Sequence, residues 1–351
     1  MKILCYTDVH WCQNGSVISS MGEKYSTRLE NLIKSVNWAE ETATKNNADM
    51  IVCCGDFFDR SNLNDMEITA LKEVKWARMP HYVLVGNHDS SVNDLSTSST
   101  NILSSINNIR VISKHEYLNV NGTEIDFIPY VNEEHPKIVE FIKEPDRKKS
   151  FIDAPITKRI VFSHNDIAGI RYGKYMSTNG FELDDISSNC NLFLNGHLHN
   201  SMFLDDKETI LNIGNLTGLN FSEDAFKYKH YAVLVDTETL ELSFFVNPYA
   251  FNFYRVDIDN ERDIAILDRL DDNAVVAIRC VDTLSDKVSE YVRNHRFVSS
   301  RITTYSNSVV NDNVNEVELK SSDYKRQFET FIVEKMGNYD IVHSELSEVL
   351  K

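Results

Sequence analysis

The 351-residue chain lacks several features that would assign it to whole classes of protein. It has no apolar run of about 18 residues, the minimum for a membrane-spanning helix. Its first residues, MKILCYTDVH, enter an apolar segment directly, without the charged, apolar and cleavage regions of a signal peptide. It has no internal repeat and no low-complexity tract. We therefore expect a globular cytoplasmic protein (host cytoplasm if it comes from a phage) that makes no membrane contact.

The six cysteines form no CxxC pair. Cys53 and Cys54 are adjacent within an apolar run, which is typical of buried positions. Without metal-ligand spacing or a secretory context, they are expected to be reduced thiols, neither disulfide-bonded nor bound to zinc.

Basic residues are also scarce. The chain has 36 Lys and Arg against 53 Asp and Glu, which gives a formal net charge of −17. An acidic surface repels nucleic acid and weakens non-specific binding to it. The charge therefore argues against a polyanionic substrate, unless a partner supplies a basic surface.

What the chain does have is a 42% apolar composition arranged in short strand-like and helix-like segments. Leu29, Leu32, Ile33, Val36 and Ala43 recur at helical spacing and predict an amphipathic helix over 26–46. Strand and helix patterns alternate first and strands dominate later, which indicates a layered α/β sandwich. Strands are predicted at 2–7, 49–54, 81–85, 110–112, 159–163, 191–194, 209–213, 231–236 and 241–246, and further helices at 64–78, near 106 and at 133–142.

The pattern changes near residue 252. Residues 274–281 and 297–305 are predicted strands around a helix at 284–294, which suggests a small α/β unit. A polar stretch then precedes a final helix whose apolar residues fall on one face. We expect a catalytic domain at 1–252, a small α/β domain at 253–308, and a linker with a helical tail at 309–351.

Five short motifs carry the chemistry, and each follows a predicted apolar strand. They are Asp8-Val9-His10, Gly55-Asp56-Phe57-Phe58-Asp59, Gly86-Asn87-His88-Asp89, Ser163-His164-Asn165 and Gly196-His197-Leu198-His199. Strand ends are where ligand-binding groups collect in α/β sheets. Carboxylate, amide and imidazole ligands without thiolate suit manganese first, with magnesium, iron or zinc as alternatives. We therefore predict a site for two divalent ions, held by Asp8, His10, Asp56, Asn87, His164, His197 and His199.

Three acidic or imidazole side chains receive specific roles. Paired cations need a bridging anion, and Asp56 is our choice. His88 neighbours a ligand without being one, so its ring can face the substrate and stabilise charge or protonate the leaving oxygen. Asp89 could hold the tautomer of that ring from behind.

Together these motifs resemble the calcineurin-like metallophosphoesterase superfamily, whose pattern is DxH, GDxxD, GNH[DE], H and GHxH. The resemblance covers residues 1–246 and implies a four-layer α/β/β/α sandwich. It also implies one ion held by Asp8, His10, Asp56 and His199, and a second held by Asp56, Asn87, His164 and His197. His88 would be the catalytic histidine.

Within the superfamily the chain looks most like the SbcD-type nuclease subunit of double-strand-break repair complexes, especially the phage recombination versions. The Gly-Asn-His-Asp form, the start directly on the DxH strand and the appended α/β unit and tail carry this resemblance. It implies a DNA exonuclease or endonuclease with a capping domain that engages DNA. It also implies a tail that docks on an SbcC-type coiled-coil ATPase, and a homodimer through helices near 64–78 and 93–106. Asp59 stands where archaeal and eukaryotic members carry a histidine, although bacterial members often have aspartate.

Other functions stay open at this point. The chain could be a stand-alone phosphodiesterase or phosphatase acting on a small nucleotide or a phosphoprotein, which the net charge favours. It could also be a scaffold without catalysis, although a scaffold gives no reason to assemble the ligands. The small α/β unit could be a plain stabilising subdomain and the tail could pack on its own core. The basic clusters at 147–149 and 158–159 could contact DNA or be solvated surface.

Overall fold

The computed structural model describes residues 1–306 except 16, 19, 92–93, 134, 142–155 and 173–174. Residues Met1–Tyr305 form one compact unit. The predicted helical tail and the basic cluster at 147–149 lie outside the described residues.

The elements follow the chain from a first buried strand to a last half-exposed one. The strands are β1 (Lys2–Tyr6), β2 (Met50–Cys53), β3 (His81–Leu84), β4 (Ile109–Ile112), β5 (Glu116–Val120), β6 (Thr123–Ile128), β7 (Lys158–Ser163), β8 (Arg171–Tyr172), β9 (Tyr175–Met176), β10 (Leu192–Asn195), β11 (Met202–Phe203), β12 (Ile210–Asn212), β13 (Tyr231–Asp236), β14 (Leu242–Val246), β15 (Asn252–Ile258), β16 (Ala274–Val281) and β17 (Ser299–Tyr305). The α-helices are α1 (Thr27–Lys45), α2 (Asp65–Ala70), α3 (Ile138–Phe141), α4 (Leu183–Asn189) and α5 (Ser285–Asn294). Short 3₁₀ helices span Leu71–Glu73, Ser99–Ser105, Glu261–Arg269 and Asp282–Leu284.

Two six-stranded sheets form the body of the molecule. The first has the order β14-β13-β1-β2-β3-β4 and the second the order β11-β12-β10-β7-β6-β5. The central strands β1 to β4 are parallel, and so are β6, β7, β10 and β12. Parallel strands end at the same edge of a sheet, so the segments after β1, β2, β3, β7 and β10 can meet there.

Side chains alternate between two cores along the central strands. In β1, Ile3 and Cys5 pack toward the second sheet, whereas Leu4 and Tyr6 pack toward α1. The outer face of the second sheet is covered by α3 and α4 through Ile138 and Ile186. The layers are therefore helix, sheet, sheet and helix, which confirms the predicted four-layer α/β/β/α sandwich.

A separate three-stranded sheet, which we call the small sheet, comprises β15, β16 and β17 in that order, all parallel. α5 connects β16 to β17, as the predicted strand–helix–strand unit requires. The small sheet has its own apolar core, which includes Val276, Ile278, Leu267 and Val288. The predicted boundary at residue 253 falls within the first residues of β15.

The helix predicted over 64–78 is wrong in its second half. α2 and its 3₁₀ extension end at Glu73, and Val74 is already extended. The helix ends there because side chains of α1 accept hydrogen bonds from the backbone N–H groups beyond Glu73. Lys75 N donates to Asn37 Oδ1 at 2.6 Å and Ala77 N to Glu40 Oε2 at 2.9 Å.

The sequence also led to expectations about the cysteines and about membrane-spanning helices. All six cysteines are free, and all except Cys190 are buried, as their apolar surroundings predict. Within the described residues, no helix combines the length and the apolar content needed to cross a bilayer.

Candidate metal centre

All the predicted ligands follow central strands of the two large sheets. The ligands that follow strands of the first sheet meet the ligands that follow strands of the second sheet at one end of the sandwich. The contributions are Asp8 and His10 after β1, Asp56 after β2, Asn87 after β3, His164 after β7, and His197 and His199 after β10. Sheet topology therefore brings together residues that lie up to 191 positions apart.

Four of these residues have a left-handed backbone, which is uncommon outside glycine. The φ angles are 50° at Asp8, 48° at His10, 47° at Asp56 and 76° at His197. Such a conformation costs a non-glycine residue about 1–2 kcal/mol. Hydrogen bonds between the loops offset this cost, since Asp8 N donates to Gly55 O and His10 N to Asp56 O, both at 3.1 Å. Strain of this kind is concentrated where side chains must be aimed at one point.

Glycines of the motifs let these loops approach each other closely. A Cβ on Gly86 would lie 2.1 Å from Asp56 Oδ1, and one on Gly55 would lie 2.3 Å from the His164 ring. Gly55 also has a φ of +94°, which favours glycine. The Gly-Asp and Gly-Asn motifs therefore need their glycines for packing around Asp56 and His164.

The first ligand set consists of Asp8, His10 and His199. The Nε2 atoms of the two histidines lie 3.2 Å apart. Asp8 Oδ1 lies 3.8 Å from His10 Nε2 and 4.0 Å from His199 Nε2, and this buried oxygen has no hydrogen-bond partner. Three ligand atoms thus converge on one point with an unpartnered carboxylate oxygen among them.

Carboxylates behind the two rings fix which nitrogen faces that point. Asp59 Oδ1 lies 3.3 Å from His10 Nδ1, and Glu223 Oε1 lies 3.2 Å from His199 Nδ1. Each Nδ1 therefore faces a carboxylate, which turns the two Nε2 atoms toward one another. Two ring nitrogens at this distance need a proton or a cation between them. The first set therefore fits a metal ion.

The second ligand set consists of Asp56, Asn87, His164 and His197. His164 Nε2 lies 3.1 Å from Asp56 Oδ2 and 3.2 Å from Asn87 Oδ1, and the same Asn87 oxygen lies 3.0 Å from His197 Nδ1. His164 Nδ1 donates to Cys54 O at 2.6 Å, which turns Nε2 toward the site. Behind His197, Asp166 Oδ1 lies 3.3 Å from Nε2. This set also fits a cation.

Asp56 lies between the two sets. Its carboxylate groups with His164 and His197 on one side and with His10 and His88 on the other, with all ligand atoms of each group within 4.8 Å of one another. This central position is what the predicted bridging role requires.

Buried opposite charges shift the pKa values of the site strongly. Burial alone would lower the pKa of His10, but Asp59 and Asp8 raise it to about 10. Burial likewise opposes charge on His164, yet Asp56 raises its pKa to about 9. Burial would raise the pKa of Asp8, but His10 and neighbouring histidines lower it to about 2. Without metal, the carboxylates are balanced by protonated imidazoles, so a metal ion replaces protons when it binds.

Asp89 does not have the role expected from the sequence. Its Oδ1 accepts from Phe58 N at 2.9 Å and its Oδ2 from Gly86 N at 2.8 Å, so it ties two motif loops together. Burial and the nearby Asp56 charge raise its pKa to about 7. The group behind the His88 ring is the Asp59 carbonyl, 3.0 Å from Nδ1. The prediction that Asp89 holds the tautomer of His88 is therefore wrong.

His88 is the exposed member of the site, whereas the ligands are buried or half-buried. Its backbone N donates to Asp56 Oδ1 at 2.9 Å, and its ring lies edge-on to His10 with centroids 4.8 Å apart. Because Nδ1 faces a carbonyl, Nε2 is the ring nitrogen available to a bound group. An imidazole placed this way can exchange a proton with a group bound over the ligands.

Sequence reasoning missed the carboxylates behind the ligand histidines. Asp59 carried a signal, since it is the last residue of the GDxxD motif, and Asp166 follows His164 by two positions. Glu223 carried none, because it lies 24 positions after His199 in a segment without a motif.

The chain is similar to one known protein family and to several individual proteins. The model of the calcineurin-like phosphoesterase family matches residues 1–201. Exonuclease subunit 1 of Enterobacteria phage T4 is 23% identical over an alignment of 307 positions, which covers 82% of this chain and 82% of that protein. A dimetal phosphatase from Danio rerio aligns over 70% of this chain and 98% of its own, with 10% identity and a TM-score of 0.38. A metallophosphoesterase from Sphaerobacter thermophilus aligns over 72% and 90%, with 12% identity and a TM-score of 0.32.

The family match spans more than half of the 351 residues and contains every predicted ligand. Members of this family bind two divalent metal ions, and the two candidate ligand sets agree with that number. The chain belongs to the calcineurin-like phosphoesterase family.

Proposed function

We propose that the protein is a manganese-dependent DNA nuclease that hydrolyses phosphodiester bonds by a two-metal mechanism. The observation that carries this is the similarity to the phage T4 exonuclease subunit. It covers 82% of this chain, more than the 201 residues matched by the family, so it includes sequence beyond the shared catalytic region. The proposal places the protein in DNA recombination and repair, in the cytoplasm where that DNA lies.

The residues of the site fall into metal ligands and a proton donor. The first ion would be held by Asp8, His10, Asp56 and His199, and the second by Asp56, Asn87, His164 and His197. When bound, the two ions supply a hydroxide nucleophile near neutral pH and stabilise charge on the phosphate. The ring of His88, the exposed member of the site, protonates the leaving oxygen or stabilises the charge that develops there.

The proposal includes partners that the sequence resemblance implies. An SbcC-type coiled-coil ATPase would bind the tail at 309–351, and the small sheet would engage DNA. A homodimer through 64–78 and 93–106 is supported by an apolar groove of about 430 Å³ between these segments, lined by Ile68, Leu71, Val74, Trp76, Ile102 and Ile106. Light scattering that finds only monomers at high concentration would contradict the dimer. Unchanged ATPase binding after removal of 321–351 would contradict the docking role.

A stand-alone phosphoesterase acting on a small nucleotide or phosphoprotein is the second candidate. The net charge of −17 favours it. So does the pairing of Arg159, which contacts Glu124 Oε1 at 2.6 Å and lies 3.5 Å from Asp126 Oδ2 instead of facing solvent. A partner with a basic surface would remove this objection, because it could hold DNA against the site.

The decisive experiment incubates the purified protein and Mn²⁺ with linear DNA and, separately, with a small bis-aryl phosphodiester. We expect DNA degradation. His88→Ala should slow it by roughly 10²- to 10⁴-fold, the usual contribution of general acid–base catalysis, without changing the metal content. The exposed His135, outside both ligand sets, gives a matched control in His135→Ala. Rapid hydrolysis of the small diester with no action on any DNA would overturn the nuclease proposal in favour of the second candidate.

A further inference from the structure

We propose that Glu223 is a positioning residue for the first metal ion, and that the small sheet sets its position. The inference rests on metal binding by the two ligand sets and is independent of whether the substrate is DNA. It concerns residues 219–226, called here the bridging segment.

Glu223 is buried, with 5% of its surface exposed, and its carboxylate is fixed on several sides. Leu219 N donates to Oε2 at 3.0 Å and Asn215 Nδ2 donates to Oε1 at 3.0 Å. The same Oε1 lies 3.2 Å from His199 Nδ1. A carboxylate held this firmly fixes both the tautomer and the orientation of the imidazole it faces.

The consequence for His199 is that Nε2 stays turned toward His10 Nε2, 3.2 Å away. Among the ligands of the first set, His199 is more exposed than Asp8 or His10, with 22% of its side chain exposed. Its ring is therefore the one whose direction depends most on what lies behind it. Glu223 supplies that constraint.

The bridging segment that carries Glu223 also belongs to the core of the small sheet. Phe221 packs edge-on against Phe253 of β15, with ring centroids 5.1 Å apart, and Arg301 of β17 lies 4.6 Å over the Phe221 ring. Ala225 N donates to Phe253 O at 3.1 Å. Glu223 lies between these anchors, so a displacement of the small sheet moves the carboxylate that orients His199.

This arrangement gives the small sheet a defined effect on the affinity of the first metal ion. Any molecule that binds the small sheet and shifts it changes the affinity of the first ion, while the second set is held by groups outside the bridging segment. Cys54 O and Asp166, which orient His164 and His197, come from other loops.

The test measures Mn²⁺ binding alone, by titration calorimetry and by the electron paramagnetic resonance signal of the coupled ion pair. Glu223→Gln should weaken the first ion by roughly 10- to 100-fold, the usual effect of losing such a partner, and leave the second unchanged. The coupled-pair signal should then appear only at higher Mn²⁺ concentration. Asp224→Asn is the matched control, because Asp224 is in the same segment but pairs with Lys227, 3.3 Å away.

The second variant tests the connection to the small sheet. Phe221→Ala should weaken the first ion in the same direction but by less, although Phe221 contacts no ligand. Phe244→Ala makes the same change on β14, outside the small sheet, and should have no effect. Wild-type affinities for both ions in Glu223→Gln would overturn the positioning role. Weakening in Glu223→Gln with none in Phe221→Ala would overturn the connection to the small sheet.

Because no nucleic acid is present in these measurements, their failure is distinct from failure of the nuclease proposal. Circular dichroism of each variant identifies misfolding, and weakening of both ions together in Glu223→Gln would indicate a general structural role and overturn the proposal.

Discussion

The two ligand sets differ in what holds them from behind. In the second set, His164 is oriented by the backbone carbonyl of Cys54, and His197 by Asp166. In the first set, His10 and His199 are oriented by Asp59 and by Glu223, which comes from the bridging segment. The second set therefore depends on the large sheets and their adjacent loops, whereas the first depends also on contacts with the small sheet. Asp56 is the residue on which both depend.

The largest effect is expected from Asp56→Asn, because it removes the negative charge shared by both sets. We expect loss of both ions and a fall in diester hydrolysis beyond the roughly 10- to 100-fold that an outer partner costs. Metal content by mass spectrometry and the hydrolysis rate check this. Asp224→Asn controls for the substitution itself. Full retention of both ions would contradict the bridging role.

A smaller effect is expected from variants that remove a ligand from only one of the two sets. His199→Ala should lose the first ion and keep the second, and Asn87→Ala should do the reverse. Each protein should then bind one ion, measured as metal per chain after removal of loosely bound metal. If either variant loses both ions, the two sets are not separable in the way their geometry implies.

Gly86→Ala tests the packing that both sets share. A Cβ there would lie 2.1 Å from Asp56 Oδ1, so the loop or the carboxylate must move. Overpacking of this kind lowers the free energy of unfolding by about 1–3 kcal/mol, and metal affinity should fall with it. Gly15→Ala is the control, because its Cβ would lie 3.5 Å from Ile18 O, an ordinary contact. Equal effects on the two variants in urea denaturation would contradict the packing argument.

A change of pH leaves the sequence and both ligand sets intact and changes only the affinity of the ions. The raised pKa values of His10, about 10, and His164, about 9, mean that both rings are protonated in the metal-free protein at neutral pH. Metal must displace these protons, so Mn²⁺ affinity should rise with pH until it approaches those values, by about tenfold per unit for each proton displaced. Calorimetry in buffers of different ionisation enthalpy checks the proton release. Affinity independent of pH would contradict it.

The sequence predicted which residues come together at the candidate site, because each follows a short apolar strand in a recognisable motif. The sandwich was also predictable, since β1, β2 and β3 have apolar runs and α1 has a helical period capped by Ser26. The end of α2 was not predictable, because it depends on hydrogen bonds to the side chains of Asn37 and Glu40, which belong to α1. Glu223 was not predictable either, because its role arises only when the bridging segment folds back onto His199. Contacts of this kind depend on tertiary structure and leave no local pattern.

The most direct test of the two-ion site is the anomalous scattering of Mn²⁺ in crystals of the protein. We expect two peaks roughly 3.5–4 Å apart, with Asp56 in contact with both. One should be bound by Asp8, His10 and His199, and the other by Asn87, His164 and His197. A single peak, or two peaks of which only one contacts Asp56, would contradict the paired site.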